Sequence, residues 1–121
     1  MSPAVIFTLR YLLIAATAAM FALHLVSSPL LRRGVRAVTL LRWEGAYYVL
    51  LLASLFVPDF RSLLIPAIVL AVIHFSAWAY TERRPSTEPP SPGILRAVQV
   101  FDATEAVVLI WIALKLLAIS S

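Results

Sequence analysis

Four long apolar stretches follow one another along the chain, and short polar segments separate them. The stretches cover residues 5–28, 37–57, 62–81 and 95–119. Each is long enough for a membrane-spanning helix, since about 20 residues at a rise of about 1.5 Å cross about 30 Å of hydrocarbon. They occupy nearly the whole chain, so the pattern predicts a single transmembrane domain over residues 1–121 and no separate soluble domain.

The segments between the apolar stretches contain residues that end or turn helices. The first helix is expected to end near Ser28 and Pro29, because proline cannot continue the helical hydrogen-bond ladder. Residues 58–61 predict a tight turn, and the proline-rich residues 82–94 predict an aqueous loop. Two antiparallel helical hairpins in series then give an all-α, integral membrane four-helix bundle with up-down-up-down topology.

The composition supports a membrane protein and excludes several other classes. The chain is 62% hydrophobic and 13% charged, whereas ordinary soluble domains are about 45–50% apolar and about 25% charged. It has no cysteine, which excludes disulfides and thiolate metal sites. In such a chain the net charge of +4 is a topology signal rather than a sign of nucleic-acid binding. The expected partners are the lipid bilayer and other membrane subunits or further copies of the chain.

The basic residues are distributed unequally between the two ends of the predicted bundle. Seven lie near the first and third loops, namely Arg32, Arg33, Arg36, Arg42, Arg83, Arg84 and Arg96. Three lie near the opposite end, namely Arg10, Arg61 and Lys115. By the positive-inside rule this difference places the first and third loops in the cytoplasm. We therefore expect a cell-membrane protein with both termini on the non-cytoplasmic side.

Five ionisable residues interrupt the apolar stretches at one common depth. They are His24, Glu44, His74, Asp102 and Glu105. Counted in turns of about 5.4 Å from the first and third loops, all five fall within a slab about 10 Å thick. The two histidines are expected on one diagonal of the bundle and the carboxylates on the other. Because ionisable groups inside a membrane are costly, this layer is a functional-site hypothesis.

Three kinds of chemistry suit such a layer. A transition-metal ion would take His24, Glu44, His74, Asp102 and Glu105 as ligands, since imidazole and carboxylate suit iron, zinc, manganese or copper. A haem would take His24 and His74 as its two axial ligands. A proton relay or a quinone pocket would use the same acidic and imidazole groups.

A purely structural network is the alternative to a functional site. Arg42 and Arg96 are close enough in depth to pair with Glu44 and Asp102. Long basic side chains can extend from such positions toward the headgroups. Trp43 would then belong to the aromatic belt that membrane proteins place at the interface.

The middle of the chain carries a family resemblance. Glu44 opens a helix that closes with the run Leu-Leu-Leu-Ala-Ser-Leu-Phe at 50–56, and a short turn leads to an apolar helix with His74 near its end. This arrangement resembles the DoxX-like family of small four-helix membrane proteins. This chain has Ser54 at a position where members of that family often have glycine. The resemblance implies a four-helix bundle of a kind sometimes found beside respiratory or sulfur-oxidising quinone enzymes, and it assigns no reaction.

These observations lead to one expected function and two alternatives. We expect an accessory subunit of a larger energy-transducing membrane complex, because four helices with short loops leave little room for independent catalysis. No catalytic residue is therefore assigned. One alternative is a self-sufficient metal- or haem-binding membrane protein. The other is a small homo-oligomeric proton-coupled transporter or channel that uses Glu44 and Glu105.

Overall fold

A computed structural model describes residues 2–83 and 91–119 of the chain, and these residues are helical with no strand. The elements are α1 (Pro3–Arg32), α2 (Ala37–Ser54), a 3-10 helix (Pro58–Leu63), α3 (Leu64–Arg83) and α4 (Pro92–Ala118). The predicted all-α class is confirmed. Residues 84–90 of the predicted loop at 82–94, which include Arg84, lie outside the described residues.

Serine caps begin the first and last helices. The Ser2 hydroxyl accepts a hydrogen bond from the Val5 N–H, and the Ser91 hydroxyl accepts one from the Ile94 N–H. A proline follows each cap, at the position where its missing N–H leaves no gap in the helical ladder. Local sequence alone therefore defines both starts.

The predicted end of the first helix near Ser28 and Pro29 is wrong. Helix α1 continues through Pro29 to Arg32. Proline removes only one backbone donor, and its own carbonyl still accepts a hydrogen bond from the Arg33 N–H. Ser27 and Ser28 therefore lie more than one residue inside the helix instead of at its end, and both are buried.

Helix α1 ends instead at a glycine. Gly34 has a φ of 93°, a conformation that glycine adopts without steric cost. Its N–H donates to the Leu31 carbonyl, and the Val35 N–H donates to the Leu30 carbonyl. This pair of bonds is the Schellman motif, which satisfies the last carbonyls of a helix.

The predicted tight turn at 58–61 is also replaced by a longer element. Helix α2 ends at Ser54, and the 3-10 helix Pro58–Leu63 then continues directly into α3. Phe60 and Leu63 are fully buried within this segment. Burial of these two side chains fixes the connection against the core, which a solvated turn would not achieve.

The packing order of the helices agrees with an up-down-up-down bundle. Helix α1 packs along α4 and also contacts α2, whereas α2 packs along α3. Helices α3 and α4 approach each other less closely. Helix α1 therefore lies diagonally opposite α3, and α2 lies diagonally opposite α4.

The interior of the bundle has an apolar half and a polar layer. Fully buried apolar side chains fill the half that contains the 3-10 helix, namely Leu13, Leu51, Phe60, Leu63, Leu109, Ile112 and Leu116. The outer surface is also apolar, and large side chains such as Ile65, Val100 and Val107 are more than half exposed. Two helical segments, Pro3–Arg32 and Pro58–Arg83, are long and apolar enough to cross a membrane by length and composition.

A close approach between α2 and α3 depends on Gly45. A Cβ atom placed at Gly45 would lie 2.5 Å from Cζ3 and 2.8 Å from Cε3 of Trp78. These separations are far below van der Waals contact, so the indole ring rests against the bare backbone of α2.

We predict that Gly45→Ala separates α2 from α3 and destabilises the protein by about 1–3 kcal/mol, the usual cost of overpacking. Unfolding of the detergent-solubilised protein measures this change. Gly93→Ala is the matched control, because a Cβ at Gly93 meets nothing within 4 Å. Equal stability of the two variants would contradict the role of the Gly45 contact.

Candidate metal centre

The structure brings all five ionisable residues of the predicted layer together inside the bundle. His24 comes from α1, Glu44 from α2, His74 from α3, and Asp102 and Glu105 from α4. None of the five is more than 8% exposed. Every helix therefore contributes at least one ligand-type side chain to one buried space.

Helical periodicity explains why these side chains point inward. On α1 the buried positions recur every three or four residues, through Thr17, Met20, His24, Ser27 and Leu31. On α4 the corresponding stripe contains Asp102, Glu105, Ala106 and Leu109. Residues at such spacing share one face of a helix. The polar residues thus occupy positions that apolar residues fill elsewhere on the same stripes.

The imidazoles and carboxylates alternate around a closed ring. Glu105 joins the two imidazoles, with Oε1 2.6 Å from Nε2 of His74 and Oε2 2.9 Å from Nε2 of His24. Glu44 joins them on the other side, with Oε2 2.9 Å from Nδ1 of His74 and Oε1 3.9 Å from Nδ1 of His24. Asp102 adds a further contact of 2.8 Å to Nδ1 of His24. The predicted placement of histidines on one diagonal and carboxylates on the other is observed.

Some of these short contacts lack the geometry of hydrogen bonds. Nε2 of His24 and Oε2 of Glu105 are 2.9 Å apart, yet neither atom has a hydrogen-bond partner. Nδ1 of His74 is likewise without one, although it lies 2.9 Å from Glu44. Buried polar atoms are rarely left in this state. Atoms that approach without a proton aligned between them are arranged as ligands of a shared cation would be.

Ser27 extends the ring, although it was not among the five residues of the predicted layer. Its hydroxyl donates to Oδ2 of Asp102, while Oδ1 of the same carboxylate faces His24. Ser27 follows His24 by three residues, so helical spacing was the signal that could have found it. It was omitted because the predicted layer contained only ionisable side chains.

Two tyrosines border the ring on its deeper side. The Tyr48 ring stacks on His74, with centroids 4.5 Å apart and an angle of 27° between the planes. The Tyr48 hydroxyl is buried and has no hydrogen-bond partner. The neighbouring Tyr47 hydroxyl lies 2.9 Å from the Thr17 hydroxyl on α1. The polar layer thus ends in a buried α1–α2 hydrogen bond.

The arginine pairing proposed for a structural network is not observed for Arg42. Its guanidinium instead donates to both carboxylate oxygens of Glu82, at 2.7 and 3.1 Å. The Trp78 indole N–H donates to Glu82 as well, at 3.0 Å. Arg42 and Glu82 are both solvent-exposed, and the Arg96 side chain is exposed too. Arg42 therefore does not neutralise Glu44, whose carboxylate contacts the two imidazoles instead.

Two cavities adjoin the ring. One of about 260 Å³ is lined by all four helices and extends from Ala37 and Thr81 to Glu44, His74 and Asp102. The other, of about 290 Å³, lies between α1 and α4 and is lined by residues that include His24 and Arg32. Both lie toward the end of the bundle that contains the first and third loops, where most of the arginines are located. We call this the arginine-rich end, and small solutes have a short route to the ring from it.

The ring contains two groups of residues with the spacing of metal ligands. His24, Glu44 and Asp102 form one group, and His24, His74 and Glu105 form the other. Within each group one ligand atom per residue lies within 4.8 Å of the others. Ligand atoms at about 2.0–2.2 Å from one ion are about 3 Å apart. The observed contacts of 2.6–3.9 Å cover that separation.

Comparisons with protein-family models, with curated proteins and with solved structures find no match. The resemblance to the DoxX-like family therefore stays a prediction. The candidate metal centre rests on the geometry of this chain.

We predict that Tyr47→Phe destabilises the metal-free protein by about 1 kcal/mol, because it removes the buried hydrogen bond to Thr17. Tyr48→Phe is the matched control, since its hydroxyl has no partner to lose. Unfolding in detergent without metal compares the two variants. A larger loss for Tyr48→Phe than for Tyr47→Phe would contradict this assignment.

Proposed function

We propose that this protein is a four-span membrane protein that binds a divalent transition-metal ion in its buried histidine–carboxylate ring. The observation that carries the proposal is the closed ring itself, in which every helix places an imidazole or a carboxylate in contact with the next.

The distribution of polarity supports the membrane part of the proposal. Large apolar side chains are exposed on all four helices, whereas five ionisable residues are buried. Soluble proteins show the reverse tendency, and extended apolar surface normally marks contact with lipid or protein. Even the shortest α-helix, α2 with 18 residues, is about 27 Å long at about 1.5 Å per residue, close to the thickness of the hydrocarbon core.

The charge of the ring and its unpaired atoms together support the metal part. Glu44, Asp102 and Glu105 bring three negative charges to the ring, and two fully protonated imidazoles would compensate only two of them. Uncompensated charge is costly in a low-dielectric interior. One dication between neutral imidazoles also compensates two of the three charges, and in addition it gives the unpaired Nε2 of His24 and Oε2 of Glu105 a common partner. Nitrogen and oxygen ligands together favour zinc, iron, cobalt, manganese or copper over calcium or magnesium.

The arrangement favours an ion over a haem. The centroids of the His24 and His74 rings are 5.9 Å apart, and Glu105 and Glu44 contact both rings. A macrocycle between the imidazoles would have to displace both carboxylates. The accessory role in an energy-transducing complex and the proton-coupled transport role stay predictions.

We predict that the purified, untagged protein binds Zn²⁺ or Co²⁺ and that Glu105→Gln weakens this binding by more than about 100-fold, the upper range for losing an outer-shell partner. The carboxylate of Glu105 contacts both imidazoles, so its loss removes an anionic ligand at the centre of the ring. Equilibrium dialysis with elemental analysis measures the affinity.

Thr104→Ala is the matched control for this experiment. Thr104 precedes Glu105 on α4, but it is exposed and its hydroxyl donates to the Val100 carbonyl of its own helix. The metal affinity of the Thr104→Ala variant should equal that of the unmodified protein. Failure of the unmodified protein to retain any metal would refute the proposed function.

We predict that both termini face the non-cytoplasmic side of the membrane and that the 32–37 connection faces the cytoplasm, as the unequal distribution of arginine implies. Reporter fusions at the C-terminus and within this connection test the orientation in cells. Activity of a cytoplasm-dependent reporter fused to the C-terminus would contradict the predicted orientation.

A further inference from the structure

The two nitrogens of His24 face different carboxylates. Nδ1 lies 2.8 Å from Oδ1 of Asp102 and 3.9 Å from Oε1 of Glu44. Nε2 lies 2.9 Å from Oε2 of Glu105. The lone pairs of the two ring nitrogens diverge, so one ion cannot bind both of them. The ligand atoms around His24 are therefore divided into two sets.

Each set is a potential coordination group in its own right. On the Nδ1 side, Asp102 and Glu44 accompany His24, and on the Nε2 side, His74 and Glu105 accompany it. Every member of both groups is buried. Nε2 of His24 and Oε2 of Glu105 face each other at 2.9 Å without the geometry of a hydrogen bond, so both atoms are placed to bind a shared ion.

From this division, and resting on the proposed metal-binding function, we propose that the ring holds two divalent ions, one on each side of the His24 imidazole. His24 then bridges the ions through its two nitrogens. Asp102 and Glu44 complete the position nearer the arginine-rich end, whereas His74 and Glu105 complete the deeper position.

The charges of the occupied centre balance under this assignment. Binding a second ion to His24 breaks its remaining N–H bond, and the proton leaves to solvent as the new metal–nitrogen bond forms. Two dications then face three carboxylates and one imidazolate, and four positive charges meet four negative ones. A single dication with neutral imidazoles would instead leave one negative charge buried, which a low-dielectric environment disfavours.

The access route suits stepwise filling. The cavity of about 260 Å³ reaches Glu44 and Asp102, and the groove of about 290 Å³ reaches His24 and Asp102. Both cavities therefore reach the proposed ion position that includes Asp102. The cavity of about 260 Å³ also reaches His74 of the deeper position, so an ion can approach that position past the oxygen ligands of Glu44 and Asp102.

Titration of the full-length, untagged protein with Cu²⁺ in detergent tests the proposal. Copper is suitable because its single unpaired electron is visible by electron paramagnetic resonance (EPR), and two copper ions on one bridging imidazole lose that signal by magnetic coupling. We expect binding of about two ions per chain, as in other two-metal sites, with the signal rising to about one equivalent and falling as the second ion binds.

Two variants assign the positions. Asp102→Asn should abolish the position that Asp102 and Glu44 complete, and His74→Gln should abolish the deeper position. Each variant should therefore retain about one copper ion with an uncoupled EPR signal. Thr104→Ala should behave as the unmodified protein. Loss of both ions in either variant would overturn the proposal, because it would indicate a single coordination sphere.

The unmodified protein alone also decides the question, whatever the stability of the variants. Saturation at about one ion per chain, or two ions whose EPR signal persists, would overturn the two-ion proposal and leave the proposed metal-binding function intact. Absence of tight binding would refute the proposed function itself.

Discussion

The attraction between two imidazoles and three carboxylates in the buried centre of the bundle organises this protein. His24 and His74 lie on diagonally opposite helices, and Glu105 and Glu44 reach across to both. Removing any one member leaves buried charge without a partner, and such a change costs far more than a surface pair is worth. The rotation of each helix about its axis is therefore tied to the same contacts.

The surrounding structure supplies what such a ring requires. The Tyr48 ring covers His74, and the Ser27 hydroxyl holds Asp102. Elsewhere the α2–α3 contact at Gly45 brings Trp78 against the backbone and leads outward to the exposed Arg42–Glu82 pair. Buried charge thus lies in the centre, polar and aromatic partners around it, and the exposed arginine pair at the edge.

The helices and the polar layer could be predicted because both depend on distance along the chain. A residue's depth in a helix follows from its position, whatever the rotation of that helix, so the convergence of His24 and Glu105 was accessible. Individual atomic contacts depend on rotation and rotamer, which explains why depth alone offered Glu44 as an alternative partner for Arg42 and did not indicate Glu82. Pro29 misled because the loss of one backbone bond is small beside the packing of a whole helix.

The apolar half of the interior limits how the ring communicates with its surroundings. Beyond the Tyr47–Thr17 hydrogen bond, Leu13, Leu51 and Leu109 are fully buried and offer no oxygen or nitrogen. A cation pushed in that direction would shed its hydration without replacement, at a large free-energy cost. For the proposed metal site, exchange of the ion would therefore occur only through the end of the bundle that contains the first and third loops, and its occupancy would follow the ion concentration on that side alone.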